Sequence, residues 1–368
     1  MSVTGRCGIV GSGLAGLTAY AALLHAGIES DEITVFGTDL DPAAAWRQRA
    51  AAIRQRHMRS ESDGHCLPTS FPGLAVRAAR QGNLQPLVDS VRNRYHPLVS
   101  EFLEHVAELR ERTGWDRRVR LGWIQRITAV DDGFAVDDHG VFHHVLVAPG
   151  QPGHAVPDEF AGDPRVVHAY EPHEYADSVA VVGAGMAAAT EWLNALAAGA
   201  RVVSVRRREP ERRPLNVPRR LFSRRGLARF HSTEPVERAA VLRRLLAPSY
   251  PLGKTWDEPL ELAAREGRFS VAPTVDGEQQ IVCATGFKHG FEHDRLLGRL
   301  VAEHALDVHG RWIVLADDCS VPALTDGSRT LTLAGAPAQW AYPAADTLVG
   351  AKYSARRFAR RVRACPTP

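Results

Sequence analysis

Short, nearly unbroken apolar runs punctuate this chain: CGIV at 7–10, ITVF at 33–36, VAVV at 179–182 and VVSV at 202–205. Rich in β-branched residues, they read as strands buried on both faces. Between the members of each pair lies a stretch of helical spacing, stopping at Ala26-Gly27 in the first and at Gly199 in the second. The order strand, glycine turn, helix, strand thus occurs twice, about 170 residues apart. Three further apolar runs end in glycine turns: VLVAPG (145–150), QQIVCATGFKHG (279–290) and LTLAGAP (331–337). A helix is expected near Tyr95–Thr113, and short alternating strands around 121–136 and 141–147 form a meander. Residues 344–362 read as a closing helix. Within 209–268, RLFSRRGLARF and VERAAVLRRLLAP carry apolar residues at helical spacing between prolines.

The two turns have matching spacing, Gly11-x-Gly13-x-x-Gly16 and Gly183-x-Gly185-x-x-Ala188. In such a unit the first glycine makes the tight turn and the second lets backbone N–H groups approach a pyrophosphate. The third small residue packs helix on strand. The helix N-terminus then offers its positive end to the phosphates. The fold class expected is α/β, with two Rossmann-like dinucleotide-binding domains.

The two units part company after their second strands. Val205 runs into Arg206, Arg207 and Arg208. A guanidinium here can grip a 2′-phosphate, which selects NADPH over NADH; the bland reading is a solvated basic turn. The first unit ends in Gly37, where an acidic residue ordinarily holds the ribose.

Composition narrows the partners. With 45% hydrophobic and 24% charged residues and a net charge of +3, the 368-residue chain is an ordinary globular protein, not a dedicated nucleic-acid binder. Its lysines are only Lys254, Lys288 and Lys352, and this arginine, alanine and glycine usage suggests a bacterial source. Cys7, Cys66, Cys283, Cys319 and Cys365 are scattered with no Cys-x-x-Cys pair, which disfavours a disulfide scaffold, a zinc site and a redox dithiol. No run approaches the roughly 20 apolar residues needed to cross a bilayer. The expectation is a cytoplasmic protein with a small-molecule substrate, without nucleic-acid, membrane or metal partners; homo-oligomer formation is left open.

Taken together, these motifs resemble the class B flavin-dependent monooxygenases, the group of flavin-containing, Baeyer–Villiger and N-hydroxylating enzymes. The resemblance rests on Gly11, Gly13 and Gly16, on Gly183, Gly185 and Ala188, and on the late turn Ala284-Thr285-Gly286. In FAGDPRVVHAY (160–170), Phe160, Gly162 and His168 match the family's Phe-x-Gly-x-x-x-His signature, with two extra residues before the histidine. The family commonly has Glu where Gly37 stands and Gly-Gly where Ala43-Ala44 stand, and Trp46 matches its tryptophan. Asp39 or Asp41, or more weakly Thr38, is then left to reach the adenosine ribose.

The resemblance implies FAD at the first motif, with Gly150 and Gly335 close to nucleotide or flavin, and NADPH at the second, gripped by Arg206 and Arg207. It implies residues 1–172 and 284–368 as the two parts of the FAD domain, and 173–283 as the NADPH domain with a helical insert at 209–268. His168 becomes a catalytic candidate in an NADP-sensing linker, and Arg54, Arg56, His57 and Arg59 could approach the isoalloxazine. His143, His144, His289 and His293 read as surface or structural. The reaction implied is flavin reduction by NADPH, addition of O2 at flavin C4a as a (hydro)peroxide, and insertion of one oxygen atom into a small molecule. Two other classes stay open: an NADPH-dependent flavoprotein reductase serving a quinone or partner protein, and an NADP(H) sensor that has lost flavin.

Overall fold

The computed structural model describes residues 3–58, 73–91, 95–213 and 217–365, leaving aside the side chains of Val3, Ser90, Val91 and Arg219. The chain opens with β1 (Val3–Val10), α1 (Leu14–His25), β2 (Ile33–Gly37), α2 (Ala44–Ala52), α3 (Leu74–Arg80), α4 (Gln85–Val91) and α5 (Val99–Thr113). Strands β3 (Val119–Leu121), β4 (Ile127–Val130), β5 (Gly133–Val136) and β6 (Val141–Val147) follow. The second unit comprises β7 (Val166–His168), β8 (Ser178–Val182), α6 (Met186–Ala197) and β9 (Arg201–Val205). It continues through β10 (Glu211–Arg212), α7 (Arg224–His231), α8 (Pro235–Leu245), β11 (Ser249–Tyr250), α9 (Lys254–Arg265), β12 (Phe269–Ala272) and β13 (Gln280–Cys283). Last come α10 (Arg295–His304), β14 (Val308–His309), β15 (Trp312–Ile313), β16 (Thr330–Leu333) and α11 (Leu348–Ala364).

The first sheet is ordered β3-β2-β1-β6-β5-β4. The start of β6 pairs antiparallel with β5, and its end pairs parallel with β16. The second sheet is ordered β12-β9-β8-β13-β7, every pairing parallel. All its strands fall between β6 and β16 in sequence, so one α/β domain is inserted into the other.

Burial explains these elements. In β6 every residue except His143 is buried, as expected of a strand covered on both faces. α5 buries Phe102, Val106 and Leu109 along one stripe and ends at Gly114 in the left-handed conformation. α11 presents Ala355, Phe358, Ala359 and Val362 to the core it shares with Leu17, Tyr20 and Leu23 of α1. Those alanines let α11 approach α1 closely and so fix the helix behind the first glycine turn. Among the described residues no helix is long and apolar enough to cross a membrane.

Candidate functional site

Each glycine turn is pinned to the strand beside it. The Gly11 N–H donates to the Phe36 carbonyl at 2.8 Å, and the Gly183 N–H donates to that of Val205 at 3.2 Å. Both glycines have positive φ, +121° and +129°. A Cβ on Gly11 would run into the Ala148 carbonyl, and one on Gly183 would lie 2.6 Å from that of Ala284. Only glycine fits there. A Cβ on Gly16 would strike the Gly11 carbonyl, and Ala188 is fully buried, so these third positions pack helix on strand.

The second glycines do something else. Gly13 and Gly185 are the N-caps of α1 and α6, and neither helix has a side-chain cap or an acidic residue in its first turn. Their leading N–H groups are open to an anion. A Cβ on Gly13 would meet nothing within 4 Å, whereas one on Gly185 would face the Pro248 Cα at 3.9 Å. The insert thus passes over the second turn while the first lies open.

Both turns face one cleft of about 1680 Å³. Asp39, Trp46, Gly150, Ala284, Thr285, Gly286 and Gly335 also line it, with Gly150, Gly286 and Gly335 at positive φ. The Thr285 hydroxyl donates to the Ala155 carbonyl, tying the two linkers between the sheets together. The residues present therefore fit two dinucleotides end to end: open amides at each helix start, and glycine backbone where bulk is excluded.

Gly37 is explained by Ser12. A Cβ at position 37 would overlap Oγ and Cβ of Ser12 and lie 2.6 Å from its amide nitrogen. No carboxylate can be carried there. Of the alternatives, Asp41 pairs with Arg47 at 2.7 Å. Asp39 accepts from the Asp41 N–H at 2.8 Å, but it is exposed and lines the cleft. The Asp39 N–H in turn donates weakly to Ser12 Oγ, at 3.4 Å.

Other expected residues lie off the cleft wall. His168 is 1% exposed and stacks on His154, ring centroids 4.0 Å apart and 10° from parallel. Its backbone N–H donates to Glu171, and its Nδ1 accepts from the Tyr170 N–H at 3.2 Å. Burial, with the His154 ring beside it, lowers its pKa to about 4. It braces the linker from behind. Arg206 folds back over Trp192, 5.4 Å from the ring centroid, and pairs with Glu209 at 2.9 Å. Arg207 points outward and pairs with Glu159 at 3.1 Å.

Of the segment expected near the isoalloxazine, Arg59 and the rest of 59–72 lie outside the described residues. Arg54, Arg56 and His57 are exposed, and Arg54 turns to Glu174; Gln55 and Met58 line the cleft instead. His289 and His293, expected at the surface or in structural roles, line the cleft, His293 exposed. Arg49, Tyr170, Phe287 and Arg213 also line it, and no sequence motif had marked them. Tyr170 stands two residues after His168, and Phe287 directly follows Ala284-Thr285-Gly286; that proximity was the available signal. Arg213 is one of many arginines, with nothing to single it out.

No protein-family profile matches the chain, and no curated protein matches it in sequence. Solved structures do match in fold. The ornithine hydroxylase PvdA from Pseudomonas aeruginosa aligns with a TM-score of 0.73 at 16% identity, covering 98% of each chain. The ornithine N-hydroxylase KtzI of Kutzneria sp. 744, solved with reduced FAD, NADP⁺ and L-ornithine, aligns at 0.72 and 14% identity, over 98% of this chain and 99% of that one. The bacillithiol disulfide reductase Bdr from Bacillus cereus aligns at 0.57 and 16% identity over 98% of each. The chain has the two-domain fold of the flavin-dependent N-hydroxylating monooxygenases.

Proposed function

We propose that this chain is an FAD-dependent, NADPH-consuming monooxygenase that places one oxygen atom of O2 into a small molecule. The observation that carries the reading is the pair of uncapped glycine turns, each between parallel strands of its own sheet, opening on one cleft. Gly11, Gly13 and the first amides of α1 would hold the FAD pyrophosphate, with Asp39 and Ser12 toward the ribose and Trp46, Gly150 and Gly335 beyond. Gly183, Gly185 and the amides of α6 would hold NADPH, with Arg206 and Arg207 the candidates for its 2′-phosphate. When bound, FAD supplies the electron transfer and oxygen activation; the protein supplies position and shelter.

The chain's own residues supply the shelter. Ala247, Pro248 and Ser249 of the insert line the cleft beside Gly185 and would shelter a nucleotide bound there. His168, held neutral by burial, keeps the linker in register with the Ala284-Thr285-Gly286 turn; we read it as a positioning residue. The likeness to ornithine hydroxylases supports the monooxygenase reading. The likeness to Bdr supports a second one, an NADPH-dependent flavoprotein reductase.

One experiment separates them. The FAD-loaded protein is supplied with NADPH, isotopically labelled O2 and panels of amines, thioethers and ketones. Label in an organic product is the expected result. Rapid quinone reduction, with all consumed O2 recovered as hydrogen peroxide and no labelled product, would replace it with the reductase.

A further inference from the structure

Arg49 lies on α2 with its guanidinium carbon 4.6 Å from the centroid of the Phe287 ring. Phe287 stacks on Tyr170, centroids 5.0 Å apart and 6° from parallel. All three line the cleft. They come from three separate places: the first domain, and each of the two linkers that join the sheets.

The neighbouring arginines are neutralised. Arg47 pairs with Asp41 at 2.7 Å, and Arg54 pairs with Glu174 at 3.1 Å. Among the described residues Arg49 has no carboxylate partner, although it is half-buried. Burial lowers its pKa from the ordinary arginine value. A guanidinium withdrawn from water without a counter-charge is costly. Stacking on Phe287 engages only its face, leaving the in-plane N–H donors, which match an oxyanion two at a time, to be used.

We propose that Arg49 binds an oxyanion of the molecule that enters the cleft, with Tyr170 and Phe287 as the aromatic wall beside it. The proposal rests on the cleft being the ligand site described above. The oxyanion has two sources, a carboxylate on the small-molecule substrate or a phosphate of the nicotinamide dinucleotide.

Calorimetric titration of the purified protein and its Arg49→Gln and Arg49→Lys variants tests this. The probes are benzoate, its neutral isostere benzamide, and NADP⁺. If a substrate carboxylate is the source, the unmodified protein binds benzoate about tenfold or more tightly than benzamide. Arg49→Gln abolishes that preference, Arg49→Lys restores part of it, and NADP⁺ binding is unchanged. If the dinucleotide is the source, NADP⁺ weakens about tenfold in Arg49→Gln with no benzoate preference to lose; the oxyanion role stands in both cases. It falls if Arg49→Gln leaves all three probes unchanged, or if it weakens benzoate and benzamide equally, which is the mark of a packing role. Should Arg49→Gln fail to fold, Arg49→Met takes its place, and a benzoate preference and NADP⁺ affinity both intact in Arg49→Met overturn the proposal, since charge and donors are both gone. Heat of binding does not require flavin. A protein that holds benzoate through Arg49 but never retains FAD would therefore sink the monooxygenase reading and leave this one standing.

Discussion

The hydroxyl of Ser12 occupies the space that any side chain on residue 37 would need. The two positions belong to different strand ends, drawn together by the Gly11 N–H donating to the Phe36 carbonyl. Gly37→Ala therefore overpacks the first turn and should cost about 1–3 kcal/mol, read as a lower urea midpoint. Adding Ser12→Gly should recover only part, because the Ser12 amide nitrogen also lies within 2.6 Å of the new Cβ. Full recovery would mean that the hydroxyl alone excludes a side chain.

Gly13 offers the opposite case. Its φ of −80° and ψ of −171° suit any residue, and a Cβ there meets nothing within 4 Å. Gly13→Val should leave the melting temperature of the flavin-free protein unchanged while abolishing retention of FAD, because the side chain takes the place of the pyrophosphate. A variant that stays yellow would move the flavin away from this turn.

The fold was legible in the sequence because its signals are local. The buried runs at 7–10 and 179–182 and the glycine spacings after them depend only on neighbours in the chain, and β1 and β8 form there. The helix expected at 344–362 appears as Leu348–Ala364. Side-chain direction was not legible. Arg206 follows its strand as a phosphate-binding residue would, yet Trp192 on α6 and Glu209 draw it aside. Arg49 carries no local mark; its meaning comes from Phe287, more than 200 residues away in sequence. The reason for Gly37 likewise lies in Ser12, across two strand ends.

The position of Arg206 yields a test with two directions. Its side chain is 11% exposed and must leave Glu209 to reach a 2′-phosphate. Arg206→Ala should raise the NADPH constant about tenfold while changing that for NADH little, since a charged hydrogen bond contributes roughly 1.5–3 kcal/mol. Glu209→Gln removes the competitor and should lower the NADPH constant instead. Steady-state constants for both nucleotides decide it. Equal responses of NADPH and NADH to Arg206→Ala would assign the residue to packing against Trp192.

Stability should depend on pH with a sign set by buried histidines. Burial lowers the pKa of His105, His144 and His168 to about 4 each, so the folded protein keeps them neutral. In the unfolded chain they take up a proton near pH 6.5. Stability from these groups is thus complete above about pH 6.5 and is lost as pH falls toward 4. Each pH unit in that window costs about 1.4 kcal/mol per histidine. His173 opposes them: burial lowers its pKa, but the hydrogen bond to buried Glu191, at 3.0 Å, prevails and the net shift is upward. Its contribution is complete below about pH 6.5 and is lost as pH rises through the raised value. Urea midpoints measured from pH 8 to 4 should therefore fall on the acid side, and fall less steeply in His168→Asn. In His173→Gln the decline on the alkaline side should disappear. A midpoint that stays level from pH 6.5 to 4 would show that the three histidines are solvated and protonated in the folded protein.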